Sequence, residues 1–250
     1  MANEKKYLKR YCKTLNLQND PGLIIDYKKT HEAGAVWPEI TQGMKDVGII
    51  DMEIYIYGNM LFMIMDTIAD FNHDKSMAEL GNKPRQAEWE AYVSKFQETS
   101  PDSSAKEKWP LLERIYEMDQ TKEFAPEDGQ VKLRIANFKR YCKTLMLEQD
   151  GELIQEYKKV HGIGKAWTEI TLGMKEVGIV DMEIYIHRNR LFMIMDTVMG
   201  FDHDLAMAKL AGKPRQAEWE AYVSKFQKAS STASADDKWQ LMERIYKLDK

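Results

Sequence analysis

The feature that most constrains the fold is a tandem repeat. Residues 10–120 align with residues 140–250 without a gap, and 71 of the 111 aligned positions are identical. The period is far longer than the roughly 20 to 50 residues of a solenoid repeat, so each copy can enclose its own core. We therefore expect two like domains, residues 1–119 and 131–250, joined by a Pro-, Gly- and charge-containing linker at 120–130.

Each copy has the pattern of six main elements. In the first copy, Arg10–Leu17 alternates as a strand does, Asp20-Pro21 is typical of a helix start, and Gly58-Asn59 predicts a hairpin between two strands. A second helical region and a final strand at Trp109–Met118 complete the order strand, helix, strand, strand, helix, strand, which is the ferredoxin-like order. Polar loops are predicted at 99–108 and 229–238.

One strand of each copy needs cover on both faces. Leu61–Met65 is apolar at every position, whereas a sheet with helices on one side leaves its other face open. A second sheet would cover it. We therefore predict an α+β fold in which two ferredoxin-like units form an intramolecular pseudo-dimeric α/β barrel of eight strands, with the chain able to act as a monomer. A swap of segments between two chains is an open alternative.

The composition excludes several classes of partner. Lys and Arg number 36 against 40 Asp and Glu, so there is no basic excess for binding nucleic acid. No run approaches the 18 or so apolar residues of a membrane span, and the N-terminal residues lack a signal-peptide core, so we expect a cytoplasmic protein. Cys12 and Cys142 are expected to be small buried side chains, since a disulfide framework would use more cysteines; the two could meet at a pseudo-symmetry axis, but nothing in the sequence requires it.

A tyrosine and a histidine on the first helix are the best candidates for chemistry. Tyr27 and His31 are four residues apart, which places them on one helix face, and Tyr157 and His161 repeat the pair. A histidine can both accept and give a proton near neutral pH. The structural alternative is a histidine that caps its helix.

Aromatic and acidic residues add candidates for ligand contact. Trp37 and Trp89 recur as Trp167 and Trp219; tryptophans commonly stack on sugars but are also common in cores. Trp89 has acidic neighbours, which indicates partial exposure.

Glu53, with Glu183 as its counterpart, shares a strand face with Tyr55, and that face points either into a cavity or to solvent. His73-Asp74 favours a helix start over a metal site. No second ligand cluster or phosphate-binding loop is apparent, so neither a metal nor a cofactor is expected.

These motifs together resemble the L-rhamnose mutarotase family. The resemblance lies in Tyr-x-x-x-His on the first helix, Trp-Pro-Glu shortly after it, a hairpin with Ile-Tyr and Leu-Phe-Met, and a later helix carrying Trp, and it covers nearly all of both copies. It implies a ferredoxin-like fold, an α/β barrel, and cofactor-free interconversion of the α and β anomers of a deoxy-sugar. It further implies His31 and His161 as proton donors and acceptors, with Tyr27, Tyr157, Trp89 and Trp219 as sugar contacts.

Three departures from that family lie at the expected sugar site. His31 and Trp37 are six residues apart where the family has four, Met52 replaces a tyrosine, and Glu88 replaces the first of two tryptophans. These departures affect the choice of sugar, for which L-fucose is a reasonable candidate besides L-rhamnose. Trp37, Trp167, Glu53 and Glu183 are included as further candidates for substrate binding.

Two other functions stay open at this point. One is a non-catalytic sugar-binding protein, and the other is a monooxygenase-like enzyme of the dimeric α/β barrel type. Glu32-Ala33 becomes Gly162-Ile163 beside the second histidine, which leaves open whether both copies are active.

Overall fold

The computed structural model describes residues 7–99, 103, 105–228 and 238–248. Residues 229–237, most of the second predicted polar loop, lie outside the described residues, as do 100–102 and 104 of the first. The first copy contains, in order, β1 (Tyr7–Asn16), α1 (Pro21–Thr30), α2 (Pro38–Asp46), β2 (Ile49–Tyr57), β3 (Met60–Thr67), α3 (His73–Gly81), α4 (Gln86–Ser94), α5 (Ala105–Lys108) and β4 (Glu113–Glu117).

The second copy follows a connecting segment and repeats this order. A short 3-10 helix at Pro126–Asp128 and β5 (Gln130–Leu133) form the connection. The remaining elements are β6 (Phe138–Met146), α6 (Gly151–His161), α7 (Thr168–Glu176), β7 (Ile179–His187), β8 (Arg190–Val198), α8 (His203–Ala211), α9 (Gln216–Ser224), β9 (Gln240–Leu241) and β10 (Glu243–Lys247). The mixture of helices with antiparallel strands confirms the α+β class.

Local sequence signals set the ends of the first helix and the first hairpin. The Asp20 carboxylate accepts a hydrogen bond from the Leu23 backbone N–H at 2.9 Å, and Pro21 occupies the first helical position. Gly58 turns the β2–β3 hairpin with a φ of 60°, and Arg188 takes the same left-handed conformation in the second copy with a φ of 55°. The predicted hairpin is therefore confirmed in both copies, although the second has no glycine in its turn.

The chain forms two compact units, and each contains a five-stranded antiparallel sheet. The strand order is β10-β2-β3-β1-β5 in the first unit and β4-β7-β8-β6-β9 in the second. The last strand of each copy thus pairs in the sheet of the other copy: β4 pairs with β7, and β10 pairs with β2. The final strand predicted at Trp109–Met118 is shorter in the structure, where β4 spans Glu113–Glu117, and it pairs in the sheet of the other copy instead of its own.

The segment predicted as a linker takes part in the first unit. Residues Phe124–Arg134 belong to that unit, and β5 pairs with β1 at the sheet edge. The Tyr11 hydroxyl donates to the Asp128 carbonyl at 3.3 Å, close to Gly129, whose φ is 72°. A Cβ at Gly129 would lie 2.6 Å from the Tyr11 ring, so only glycine fits this turn.

The helices of each unit cover one face of its sheet and enclose the core. Alternation along β2 directs Met52 and Ile54 to the helix side, where they join the core, and directs Glu53 to the other side. β7 repeats this arrangement with Met182 and Ile184. The candidate residues for chemistry lie on the helix side, between the sheet and the helices.

Candidate functional site

The two histidines stand at the ends of equivalent helices. His31 caps the C-terminus of α1 and His161 is the last residue of α6, and they are 6% and 5% exposed. Their ring Nδ1 atoms lie 3.0 Å and 2.9 Å from the carbonyl oxygens of Tyr27 and Tyr157. A carbonyl can only accept, so Nδ1 carries the hydrogen and Nε2 keeps its lone pair.

Burial fixes the charge of both imidazoles. Desolvation lowers the pKa of His31 and of His161 to about 4, and the hydrogen bond to the tyrosine carbonyl offsets this only in part. Both rings are therefore neutral at pH 7. Each presents an unprotonated Nε2, which is the form that can act as a base.

Aromatic rings surround each histidine. The His31 ring centroid is 4.2 Å from that of Tyr27, 5.7 Å from Trp89 and 5.8 Å from Tyr246. In the second unit the corresponding rings are those of Tyr157 at 4.0 Å, Trp219 at 5.3 Å and Tyr116 at 6.1 Å. Tyr246 and Tyr116 come from the exchanged strands, so each site contains one residue from the other copy.

A pocket opens beside each histidine, and the two pockets differ in size. The volume is about 110 Å³ in the first unit and about 430 Å³ in the second. Small-molecule pockets usually range from about 300 to 1,000 Å³, so only the second falls within that range. Apolar side chains form most of the first wall: Ile40, Met44, Met52, Ile54, Met63, Met65, Met77, Leu80 and Val93.

The wall also contains polar groups that the sequence analysis did not select. Lys13, Gln86, Glu90 and Gln97 line the first pocket, and Lys143, Gln216, Glu220 and Gln227 line the second. Gln86 Nε2 donates to Glu90 Oε1 at 3.0 Å. The Oε1 atoms of Gln86 and Gln97 are buried without a hydrogen-bond partner in the described part of the chain. Such acceptors are suited to a ligand that carries hydroxyl groups.

The structure brings together six of the ten predicted site residues. His31, Tyr27 and Trp89 line the first pocket, and His161, Tyr157 and Trp219 line the second. The expected partial exposure of Trp89 is wrong: it is 7% exposed, because its ring packs against those of Trp37 and Tyr92. Of its two acidic neighbours, Glu88 is exposed and Glu90 lines the pocket.

The two other predicted tryptophans lie one layer further out. Trp37 packs at 5.3 Å from Trp89 and carries the Arg85 guanidinium over its outer side at 3.9 Å. Trp167 and Trp219 repeat the contact at 5.3 Å. Neither Trp37 nor Trp167 lines the pocket beside its histidine, so both support the inner tryptophan and do not form the wall.

The two glutamates lie on the opposite side of the sheet, which corrects their predicted place beside the sugar. Glu53 is buried and its Oε1 accepts from Arg244 at 2.9 Å and from Lys247 at 3.0 Å, both on β10. Glu183 is fully buried and accepts from the Tyr185 hydroxyl at 3.1 Å. Strand alternation is the reason: Met52 and Met182 take the pocket side, so the glutamates that follow cannot.

Among the pocket residues that the sequence analysis did not select, the two lysines had a recognisable sequence signal. Lys13 shares its alternation phase with Tyr11 and Leu15, so a lysine stands among residues that face the core, and Lys143 repeats it. A charged residue on an apolar face, present in both copies, indicates a polar site. Tyr246 had no such signal, because its place depends on strand exchange.

The part of the chain that the structure describes contains neither a metal-binding cluster nor a membrane-spanning helix. There, no group of three or more His, Cys, Asp or Glu side chains is placed to hold a metal ion. Across the same residues, no helix has the length and apolar character that crossing a bilayer requires.

Comparison with known proteins identifies each copy separately. The family model for L-rhamnose mutarotase matches residues 10–118 and again residues 140–248. An L-fucose mutarotase of Xanthomonas campestris is 33% identical over 113 residues, which is 45% of this chain and 90% of that protein. An L-rhamnose mutarotase of Phocaeicola vulgatus is 31% identical over 86 residues, 34% of this chain and 77% of that protein.

Proposed function

The chain belongs to the L-rhamnose mutarotase family, and on that premise we propose that it interconverts the α and β anomers of a free 6-deoxy-hexose such as L-rhamnose or L-fucose. The observation that carries the proposal is the histidine of each unit, whose Nδ1–H is held by a carbonyl and whose ring lines the pocket. His31 and His161 are the proposed catalytic residues. No cofactor is needed for this reaction.

The proposed chemistry is acid–base catalysis of ring opening. The Nε2 atom of the neutral histidine takes the proton of the anomeric hydroxyl, a proton reaches the ring oxygen, and the bond from C1 to the ring oxygen breaks to give the aldehyde. After C1 turns, the ring closes on its other face and both protons return. The low pKa of His31 and His161 keeps the base available at neutral pH.

The pocket walls support a deoxy-sugar as the substrate. Several methionines, including Met52 and Met63, provide an adaptable apolar surface that suits a methyl group. Lys13, Glu90 and Gln97 supply donors and acceptors for hydroxyl groups. We propose Tyr27, Tyr157, Trp89 and Trp219 as sugar contacts. The family relatives act, by their names, on L-fucose or L-rhamnose, and both sugars are candidates here.

The test is a paired substitution of the histidines. We expect the variant His31→Ala with His161→Ala to lose accelerated anomer exchange, measured by saturation-transfer NMR on L-fucose and on L-rhamnose. A matched control is His187→Tyr, because His187 lies on β7 outside the pocket and the first copy has Tyr57 at that position. Unchanged exchange in the folded double variant would refute the histidine assignment, and a wild-type protein that accelerates neither sugar would refute the proposed substrates.

A further inference from the structure

We propose that two glutamines in each pocket determine which sugar is bound. Their carboxamide oxygens accept hydrogen bonds from two different ring hydroxyl groups, away from C1, where the histidine acts. The residues are Gln216 and Gln227 in the second unit and Gln86 and Gln97 at the same positions of the first. The inference rests on the proposed mutarotase function and names the part of the sugar by which that site selects its substrate.

The first observation is that each of these side chains is buried and has an unmet acceptor. The four glutamines are between 4% and 7% exposed. Their Oε1 atoms are buried without a hydrogen-bond partner in the described part of the chain. A buried acceptor without a partner destabilises a fold, so its presence at both positions of both units points to a donor that arrives with a bound molecule.

One helix face places the first glutamine beside the aromatic wall of the pocket. Four residues of α9 line the second pocket, and their spacing of three, four and seven residues puts them on one face: Gln216, Trp219, Glu220 and Val223. The same four residue types of α4 line the first pocket. The glutamine is therefore on the face that carries the indole proposed to contact the sugar.

An acidic neighbour fixes the orientation of the first carboxamide. Gln216 Nε2 donates to Glu220 Oε1 at 3.0 Å, and Gln86 Nε2 donates to Glu90 Oε1 at the same distance. Burial raises the pKa of Glu90, and the hydrogen bond from Gln86 opposes this shift because it stabilises the carboxylate. Exchanging the nitrogen and oxygen of the amide would bring two acceptors together. The oxygen is therefore the end of the amide that requires a donor from the ligand.

Main-chain hydrogen bonds on both sides fix the second glutamine. Gln227 forms a β-bridge with Leu147 just after β6, and the flanking residues exchange backbone hydrogen bonds of 2.8 and 2.9 Å. Gln97 and Leu17 repeat this bridge just after β1. The point at which the side chain enters the pocket is thus set by the backbone and not by contacts of the carboxamide.

The two glutamines of a pocket stand at opposite ends of one helix. Gln216 is the first residue of α9, and Gln227 lies three residues beyond the last, Ser224. The helix rises about 1.5 Å per residue, so its two ends are roughly 12 Å apart. The side chains enter the pocket from opposite ends, and each is placed to meet a different hydroxyl group of the sugar.

Acceptors of this kind impose a defined selection. A carboxamide oxygen accepts but does not donate, so it pairs with a hydroxyl hydrogen and loses its partner when that hydroxyl is removed or replaced by fluorine. A site built to pair with a hydroxyl rejects an analogue without it more strongly than an apolar pocket discriminates by size. The proposed substrate class is therefore a 6-deoxy-hexose with free hydroxyl groups at two or more of C2, C3 and C4.

The test begins with monodeoxy sugars on the wild-type protein. The parent is whichever of L-fucose and L-rhamnose is accelerated more, and its deoxy forms at C2, C3 and C4 are compared with it. Saturation-transfer NMR measures each exchange rate against the uncatalysed rate of the same sugar. We expect two of the three deoxy forms to lose about 10- to 100-fold in kcat/KM, because each leaves one buried acceptor unpaired.

Methionine substitutions then connect each hydroxyl group to its glutamine. Methionine is close to glutamine in size but lacks the acceptor. In Gln216→Met with Gln86→Met, both units change, so the result does not depend on which unit is active. The parent sugar should lose a similar factor, and one sensitive deoxy form should then differ from it by less than about threefold. Gln227→Met with Gln97→Met should remove the penalty of the other deoxy form.

A glutamine outside the pocket provides the control. Gln42 lies on α2 and the second copy has Leu172 at its position, so Gln42→Leu should leave every deoxy penalty as in the wild type. Penalties that stay unchanged in both methionine variants would overturn the proposal, and loss of the same penalty in both would contradict two separate hydroxyl groups. A wild-type protein that accelerates neither parent sugar would instead refute the proposed function, which separates the two failures.

A measurement on the wild-type protein covers the case in which the methionine variants do not fold. A fluorodeoxy sugar carries an acceptor in place of the hydroxyl group but no hydrogen to donate. At the two sensitive positions it should be accelerated no better than the deoxy form, because the glutamine oxygen then meets another acceptor. Acceleration restored by fluorine at either position would show that the protein donates there, and would overturn the assignment.

Discussion

The two pockets have nearly the same walls but different volumes. Every residue that lines the first pocket has its counterpart in the second, and all pairs are identical except Val36 and Ala166. Yet the volumes are about 110 Å³ and about 430 Å³. The second pocket extends along α8, where Asp204, Ala208 and Ala211 join its wall.

The two units thus have the same reactive groups and differ in pocket volume. The histidine, lysine, tryptophan and glutamine residues of the wall are the same in both units. If activity depended on these groups alone, the two units would be equally active. The volume makes them unequal, because only the second pocket is as large as ordinary small-molecule sites. The second unit is therefore expected to perform most of the reaction.

The largest expected effect is an unequal response to losing one histidine. We expect His161→Ala to lower the rate of anomer exchange by about 100-fold, within the range that a positioned acid or base contributes, and His31→Ala to lower it less than twofold. Saturation-transfer NMR on the two single variants measures both. Equal losses of half the activity would show that the difference in pocket size has no functional consequence.

The next effect concerns the one wall position that differs. In the His31→Ala background, Ala166→Val should lower kcat/KM by about tenfold, because the two carbon atoms that it adds to the pocket wall change binding by about 1–3 kcal/mol. Val36→Ala in the His161→Ala background should raise it. Thermal unfolding of each variant controls for overpacking. If kcat/KM changes in neither variant, this wall position is not the cause of the difference between the two units.

A smaller effect is expected on the opposite face of the sheet. Lys247 Nζ lies 2.8 Å from Asp51 Oδ2 and 3.0 Å from Glu53 Oε1, whereas β4 has Glu117 at the same position. Lys247→Glu should reduce the free energy of unfolding by about 1 kcal/mol, since it places a third carboxylate beside the buried Glu53 in a partly exposed site. Urea unfolding measures this loss. The rate of anomer exchange should not change, because this face lies away from the pocket.

The elements of the fold were predictable because their signals are local. The Asp20-Pro21 helix start and the Gly58-Asn59 turn act within a few residues, and both are observed. The destination of the last strand was not predictable. β2 and β7 differ only at Ile50 and Val180 and at Tyr57 and His187, so the sequence contains no preference for one sheet over the other.

The site was predictable where one helix holds its residues. Tyr27 and His31 are four apart on α1, and helix geometry alone brings their rings together. Glu53 could not be placed in the same way, because alternation tells which residues share a face but not which face meets the helices. Lys13 was missed because a lysine is usually solvated, and only the position of α4 shows that its charge is buried.

The smallest expected difference between the units is in their response to acid. Burial lowers the pKa of both His31 and His161 to about 4, so the base in each unit is lost only as the pH falls through that value. The same shift sets stability: an unfolded histidine binds its proton near pH 6.5, so stability is complete above that pH and falls between pH 6.5 and 4. We expect the rates of the two single-histidine variants, measured from pH 7 to 3.5, to fall with midpoints within about half a pH unit of each other. A midpoint near 6.5 in one unit would mean that its histidine is solvated. Access of water to the histidine ring, and not pocket volume, would then explain the difference between the two units.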